Sequence, residues 1–365
     1  VWAVFGELHV PITDTIDLQL AIRHEDYQNV GSTTNPKASL RWQATPWLAF
    51  RGGYSSTFRG PPLTSLTNSS VTGLSFIAGS FRAIDFFGNP DLKPEKARNY
   101  NVGFIVKTGG LFATVDYWRF NFRNPMVAEP SGAIVDTMFP AGLAVTDPSH
   151  PCNDPTFVGL KARFTFQGAC STSTIARVRT QVVNGPPVKT SGIDFQVNYD
   201  FGDVMGGRVN VGASATYTIN YKIADFKVGG VTVQPGFDAV GFLNYQLSAT
   251  SLPEWKGSAY VEYSTGPHNV RFTLNYIDSY KDQRTSILAP NPVDGNVLTK
   301  GQTIKATYIA ELDYRVLLPW DTTMTLSVDN LFDQDPSFAR LDLNYDPFTG
   351  TPLGRTYKVS IKKRF

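Results

Sequence analysis

Apolar and polar side chains alternate along much of this chain. Near its end Tyr357, Val359, Ile361 and Phe365 fall on one parity, and Thr356, Lys358, Ser360, Lys362 and Arg364 on the other. A period of two puts these sets on opposite faces of a β-strand. The same pattern sets Ile16, Leu18, Leu20 and Ile22 against Asp17, Gln19 and Arg23. It recurs where Ala306, Tyr308, Ala310, Leu312 and Tyr314 oppose Lys305, Thr307, Glu311, Asp313 and Arg315. A soluble sandwich would produce the same alternation, so parity alone leaves open whether the apolar face meets a core or lipid.

The pattern predicts strands over residues 1–10, 16–23, 37–43 and 47–57, then a long Ser-, Thr-, Gly- and Pro-rich loop over 58–96. Gly31 and the Asn35-Pro36 step are placed in a modest loop between the second and third strands. Residues 99–107 and 111–122 form a hairpin across Thr108-Gly109-Gly110, a good tight-turn composition. An irregular region over 123–173 follows, and then residues 175–201 as one very long strand bulged at Gly185-Pro186-Pro187. Further strands are expected at 208–221, 246–264, 268–280, 304–317, 323–328 and 355–365, with a polar loop over 281–301.

Short turns at 11–14, 45–46, 108–110, 203–207, 265–267 and 319–321 alternate with longer connections. All short turns then fall on one side of the sheet and all long loops on the other. Outer-membrane barrels have this asymmetry, with short periplasmic turns and long extracellular loops. A soluble sandwich has no reason to keep it. The count comes to about thirteen strands with a descending first strand, whereas a closed single-chain bacterial barrel has an even number. The expected object is an incomplete barrel whose first and last strands leave backbone groups unpaired at two open edges.

Composition changes the picture little. The chain has 365 residues, a net charge of +2 and 18% charged residues, so no strong field argues for nucleic acid. Phe 25, Tyr 16 and Trp 6 make it aromatic, and Gly 31 with Pro 24 indicates many turns. No apolar run approaches the ~18 residues of a spanning helix, as befits a barrel whose signal per strand is weak. The chain begins Val1-Trp2-Ala3-Val4 without an initiator Met or a secretory signal, which points to a processed N-terminus or a fragment.

Several motifs carry a family resemblance. Val328-Asp329-Asn330-Leu331-Phe332-Asp333, then Gly354-Arg355-Thr356-Tyr357, then a terminal Phe365, resemble the C-terminal signature of TonB-dependent outer-membrane receptors. Phe58-Arg59-Gly60-Pro61-Pro62-Leu63-Thr64-Ser65-Leu66 is similar to a family motif at the end of a barrel strand, departing from it at Gly60, Pro62 and Ser65. Asn89-Pro90-Asp91-Leu92-Lys93-Pro94-Glu95 matches another more closely, and Ser191-Gly192-Ile193-Asp194-Phe195 looks like a third. These motifs mark barrel construction and say nothing about cargo.

The resemblance implies an all-β fold, an antiparallel transmembrane β-barrel of about 22 strands, of which this chain supplies the C-terminal portion. Residues 1–365 would be one partial barrel domain, with the N-terminal plug and the first barrel strands absent. It implies residence in the bacterial outer membrane, amid lipid and lipopolysaccharide, and assembly by the barrel-assembly machinery reading Phe365. It implies active transport driven by the TonB complex through a TonB box outside this sequence. A ferric siderophore is the expected small-molecule cargo; oligosaccharide, cobalamin, nickel chelates and peptide are the alternatives. A passive porin is the rival from another class, and a structural or surface-docking barrel a third reading.

Candidate chemistry is sparse. Cys152 and Cys170 share one polar loop, and a disulfide closing about 19 residues would contribute ~3 kcal/mol in the chain-entropy model. His9, His24, His150 and His268 are scattered without metal-ligand spacing, so no metal site and no cofactor are expected; His150 near Cys152 and Asp154 reads as solvated loop. Arg82, Phe86 and Phe87 lie in the 58–96 loop, and Tyr280, Arg284 and Arg340 near other loop bases. Arginines and aromatics converging above a barrel could hold an anionic or ring-bearing ligand, or could simply pack loops and touch lipopolysaccharide. Asp17, Asp116, Asp194, Glu311 and Asp313 are isolated in-strand carboxylates expected to line a polar lumen. No nucleophile arrangement is present, so enzyme activity is not expected; an outer-membrane protease or phospholipase is the enzymatic rival.

Overall fold

In the computed structural model the alternating stretches become thirteen long antiparallel strands, hydrogen-bonded in chain order into one sheet. Described residues are 1–27, 31–245, 247, 249–284 and 302–364. The first four strands are β1 (Trp2–Thr13), β2 (Ile16–Tyr27), β3 (Gly31–Thr45) and β4 (Leu48–Arg59). Then come β5 (Glu95–Thr108), β6 (Leu111–Arg123), β7 (Val188–Val204), β8 (Gly207–Ile223) and β9 (Trp255–Thr265). The last four are β10 (His268–Ile277), β11 (Thr307–Leu318), β12 (Thr322–Asp329) and β13 (Thr356–Lys363). Phe237–Asp238 adds a short pairing beside β8. Among the described residues β1 pairs only with β2 and β13 only with β12, so the sheet is open at both.

Register carries the parity across the sheet. Tyr199, Val211, Val261, Phe272, Leu312, Val328 and Tyr357 stand opposite one another in one row on seven neighbouring strands. One residue further along, Asn210, Glu262, Arg271, Asp313, Ser327 and Lys358 form a row on the other face. The apolar face stays uncovered: Val261 is 51% exposed, and Tyr357, Val359 and Ile361 are exposed. Only lipid solvates such a face, while repeated charges are tolerated on a lumen. The tight turns lie where expected, helped by left-handed glycines at Gly109 (φ 52) and Gly206 (φ 74). The 319–321 turn instead uses Trp320 and Asp321, both at positive φ.

Four expectations need correction. Residues 175–201 are not one strand. Ile175–Asn184 runs parallel to Ser80–Phe87 in a separate sheet, and the barrel strand starts only at Val188. Pro186 and Pro187 bring no backbone N–H to a ladder, so the chain leaves one sheet and enters the other there. The 58–96 loop contains a hairpin, Ser70–Ile77 with Ser80–Phe87, turned at Ala78 and Gly79 with φ of 49° and 76°. Alanine is an unusual residue for that turn, so its signal was weak. Gly31 and Asn35-Pro36 lie inside β3, leaving only residues 28–30 to connect β2 and β3, outside the described residues. Strict alternation of turn lengths therefore fails once. Finally, the strand expected over 246–264 begins at Trp255.

Candidate functional site

The long connections do not hang separately; they fold into two clusters at one end of the sheet. The first joins the β4–β5, β6–β7 and part of the β8–β9 connections around Ile84, Ile134, Met138, Leu160, Val178 and Phe226. Cys152 and Cys170 form a disulfide inside it, with Cα atoms 5.9 Å apart. His150 is buried beside them, and its Nδ1 accepts the Cys152 backbone N–H at 3.0 Å, which fixes its tautomer. The histidine expected in solvated loop is therefore a packing residue; burial followed from the surrounding loops, not from local pattern.

Several charges in this cluster are paired. Arg163 reaches the buried Glu129 at 2.5 Å, and the Gln181 N–H also donates to Glu129. Burial still pushes the Glu129 carboxyl up, against the pull of Arg163. Arg177 donates to Asp85 through Nε at 2.7 Å and holds that carboxyl down to about 2, with help from Thr72. Arg82 donates from Nη2 to the Thr172 carbonyl at 3.3 Å. Phe87 lies under the Arg179 guanidinium, 4.1 Å from the ring centroid, whereas Phe86 is exposed.

The second cluster gathers Leu243, Tyr280, Ile304 and Ala339 from the β8–β9, β10–β11 and β12–β13 connections. At its centre Asp282, with no exposed side-chain surface, accepts from Arg284 at 2.6 Å and from Arg340 Nε at 2.8 Å. Burial alone would raise the Asp282 carboxyl, but the two guanidinium groups outweigh it and lower its pKa. Arg284 also sits 3.9 Å above the Tyr245 ring. The Tyr280 hydroxyl donates to Asp346 at 2.5 Å, and burial followed by that carboxylate pushes its pKa up. The six expected ligand contacts thus divide between two clusters. Tyr280, Arg284 and Arg340 are brought together, yet their polar atoms are engaged within the loops, and Asp282 and Asp346, which organise them, carried no sequence signal. Phe365 lies outside the described residues.

Between the clusters and the turns runs the polar face. A groove of about 810 Å³ on it is lined by Arg51, Asp116, Trp118, Asp194, Lys256 and Asn275, among others. Arg51 on β4 donates from Nε to Asp116 Oδ1 on β6 at 2.6 Å, and Asp194 accepts from Thr216 at 2.7 Å. The lumen carboxylates expected at 116 and 194 are therefore on that wall, paired rather than free.

Comparison with known proteins decides the family. The description "TonB dependent receptor-like, beta-barrel" matches residues 1–331. This chain belongs to the TonB-dependent receptor family. An iron-regulated outer membrane virulence protein of Vibrio cholerae is 28% identical over 159 residues, covering 43% of this chain and 22% of that protein. A heme/hemopexin utilization protein C of Haemophilus influenzae is 28% identical over 130 residues, 32% of this chain and 18% of the other. Among solved structures the siderophore receptor PirA of Acinetobacter baumannii superposes over 100% of this chain and 45% of its own, at TM-score 0.64 and 19% identity. The ferric enterobactin receptor of Pseudomonas aeruginosa covers 98% of this chain and 44% of its own, at TM-score 0.63 and 17% identity. The chain spans less than half the length of these relatives. As a TonB-dependent receptor barrel it belongs to the outer membrane, in a family of receptors rather than enzymes.

Proposed function

We infer that this chain is the wall and loop face of a receptor that takes a ferric siderophore across the outer membrane with energy delivered through TonB. The observation that carries the reading is the folding of five long connections into two ordered clusters at one end of a polar-walled barrel. Ordered loops over a lumen make a selective entrance, whereas a diffusive pore needs none. The likeness to siderophore receptors supports the cargo. Heme is the second candidate, favoured by the relatives that are heme/hemopexin utilization proteins. In this reading a plug and further strands complete the barrel, the barrel-assembly machinery inserts it, and lipopolysaccharide meets the outward loop surfaces. Exposed Phe86 and the Arg82 and Arg179 side chains are the ligand-facing candidates of the first cluster. Arg284 and Arg340 position the loops of the second.

The test is uptake of radiolabelled iron by cells carrying the full receptor, supplied as ferric siderophore or as heme. Accumulation should stop when TonB is deleted or the inner membrane is de-energised. Uptake at full rate without TonB would make the protein a passive porin, and uptake of heme alone would replace the cargo.

A further inference from the structure

Strand β6 breaks the polarity rule of the lumen wall. Trp118, Phe120 and Phe122 share the face of Thr114 and Asp116, not that of Val115 and Tyr117. They form a ladder: Trp118 and Phe120 have ring centroids 5.6 Å apart, and Phe120 and Phe122 are stacked at 6.1 Å. Large rings on the polar face of a barrel have no lipid to meet, so their placement asks for another reason. The ladder begins where the β6–β7 connection enters the first loop cluster and descends to the Arg51–Asp116 pair.

Trp118 lies over Gly192 of β7, where an added Cβ would stand 2.3 Å from its Cζ2. That glycine lets the indole lie against the β7 backbone, and Trp118 also lines the groove on the lumen face. The groove below offers amides and hydroxyls from Asn101, Gln196, Ser214, Thr216, Ser258 and Asn275. Its charges balance, two cations (Arg51, Lys256) against two carboxylates (Asp116, Asp194), so it selects little for net charge. Flat apolar faces beside a belt of neutral donors and acceptors recognise a ring that carries hydroxyl groups.

We propose that the Trp118–Phe120–Phe122 ladder and the groove beneath it form a wall subsite for ligands bearing hydroxylated rings, on the path from the loop clusters into the lumen. It rests on the reading that cargo passes along this wall. The chemistry is shared by catechol-type aromatic rings and by pyranoses, and the experiment separates the two.

The full-length receptor is purified in detergent and titrated with catechol and, separately, with methyl glucopyranoside, binding being followed by calorimetry and by saturation-transfer NMR. At least one probe should bind, Trp118→Leu should weaken it about tenfold, and Trp118→Phe should stay within about threefold, as expected for loss or retention of a stacking ring. The probe that binds names the ring class. Binding in detergent needs no energised membrane, so it stands or falls separately from TonB-dependent uptake. Failure of both probes overturns the subsite, as does binding that survives Trp118→Leu. A fall in thermal stability with unchanged binding also overturns it, because the ladder then only packs against polypeptide in the lumen.

Discussion

Arg51 on β4 grips Asp116 on β6 across the full width of β5, because residue 103 between them is glycine. A Cβ at that position would stand 2.2 Å from Asp116 Oδ1 and 2.4 Å from the Val115 carbonyl. The same device recurs on the wall. The Tyr260 hydroxyl donates to Asn198 at 2.9 Å over Gly212, whose Cβ would meet both side chains. Polar groups thus lie along the wall instead of projecting into the lumen.

Substituting this glycine should uncouple the pair. Gly103→Val should destabilise the full receptor in urea by more than Arg51→Ala, because it adds a clash with backbone to the lost ion pair. The Arg51 end of the pair is open to solvent, so its own share is about 1 kcal/mol. In a double-mutant cycle the Arg51→Ala effect should vanish in the Gly103→Val background. Equal Arg51→Ala effects in both backgrounds would mean that the pair does not form across β5.

The two faces should respond differently to charge. Val261→Lys, on the exposed apolar row, should cost about 2–4 kcal/mol of folding into vesicles, as lysines do near the middle of a bilayer. Ser258→Lys, lining the groove on the opposite face, should cost little by comparison. The measurement is reversible unfolding from lipid vesicles, and equal penalties would refute the assignment of the faces.

The second loop cluster should hinge on Asp282. Arg340→Met leaves that buried carboxylate with Arg284 alone, and breaking a buried pair typically costs about 3–5 kcal/mol. The cost should be local. Hydrogen exchange should accelerate in residues 330–355 and 278–284 while the barrel strands keep their protection, and unchanged exchange would show that the pair is dispensable.

Acid should loosen the first cluster late. Asp85 is held down to about 2 by Arg177. A depressed folded pKa means that the contribution is complete above the unfolded value, about 3.9 for Asp, and is lost as pH falls towards 2. Docking of the hairpin Ser70–Ile77 and Ser80–Phe87 onto Ile175–Asn184, followed by hydrogen exchange, should therefore hold at pH 5 and weaken between about 4 and 2. Asp85→Asn should flatten that dependence; an unchanged acid profile in the variant would assign it to another group.

Much of the barrel was legible because its information is local. Parity in Tyr357, Val359 and Ile361 needs only neighbouring residues, and so does a turn such as Thr108-Gly109-Gly110. The count of thirteen strands survives, although one supposed strand lost its first thirteen residues to the loops. Local pattern failed where two sheets use the same period: Arg177 and Arg179 alternate with Val178 and Thr180 as in a barrel strand, and the partner, Ser80–Phe87, distinguishes Ile175–Asn184.

By itself the sequence determined the strands, their faces, the short-turn side of the sheet and the membership of Cys152 and Cys170 in one loop. Each follows from backbone period or from spacing along the chain. Tertiary structure alone decided that loops far apart in sequence share two cores, that Arg340 and Arg284 converge on Asp282, and that Arg51 meets Asp116 over Gly103. Those are meetings between distant residues, fixed by register across several strands and by burial, and no local pattern encodes either.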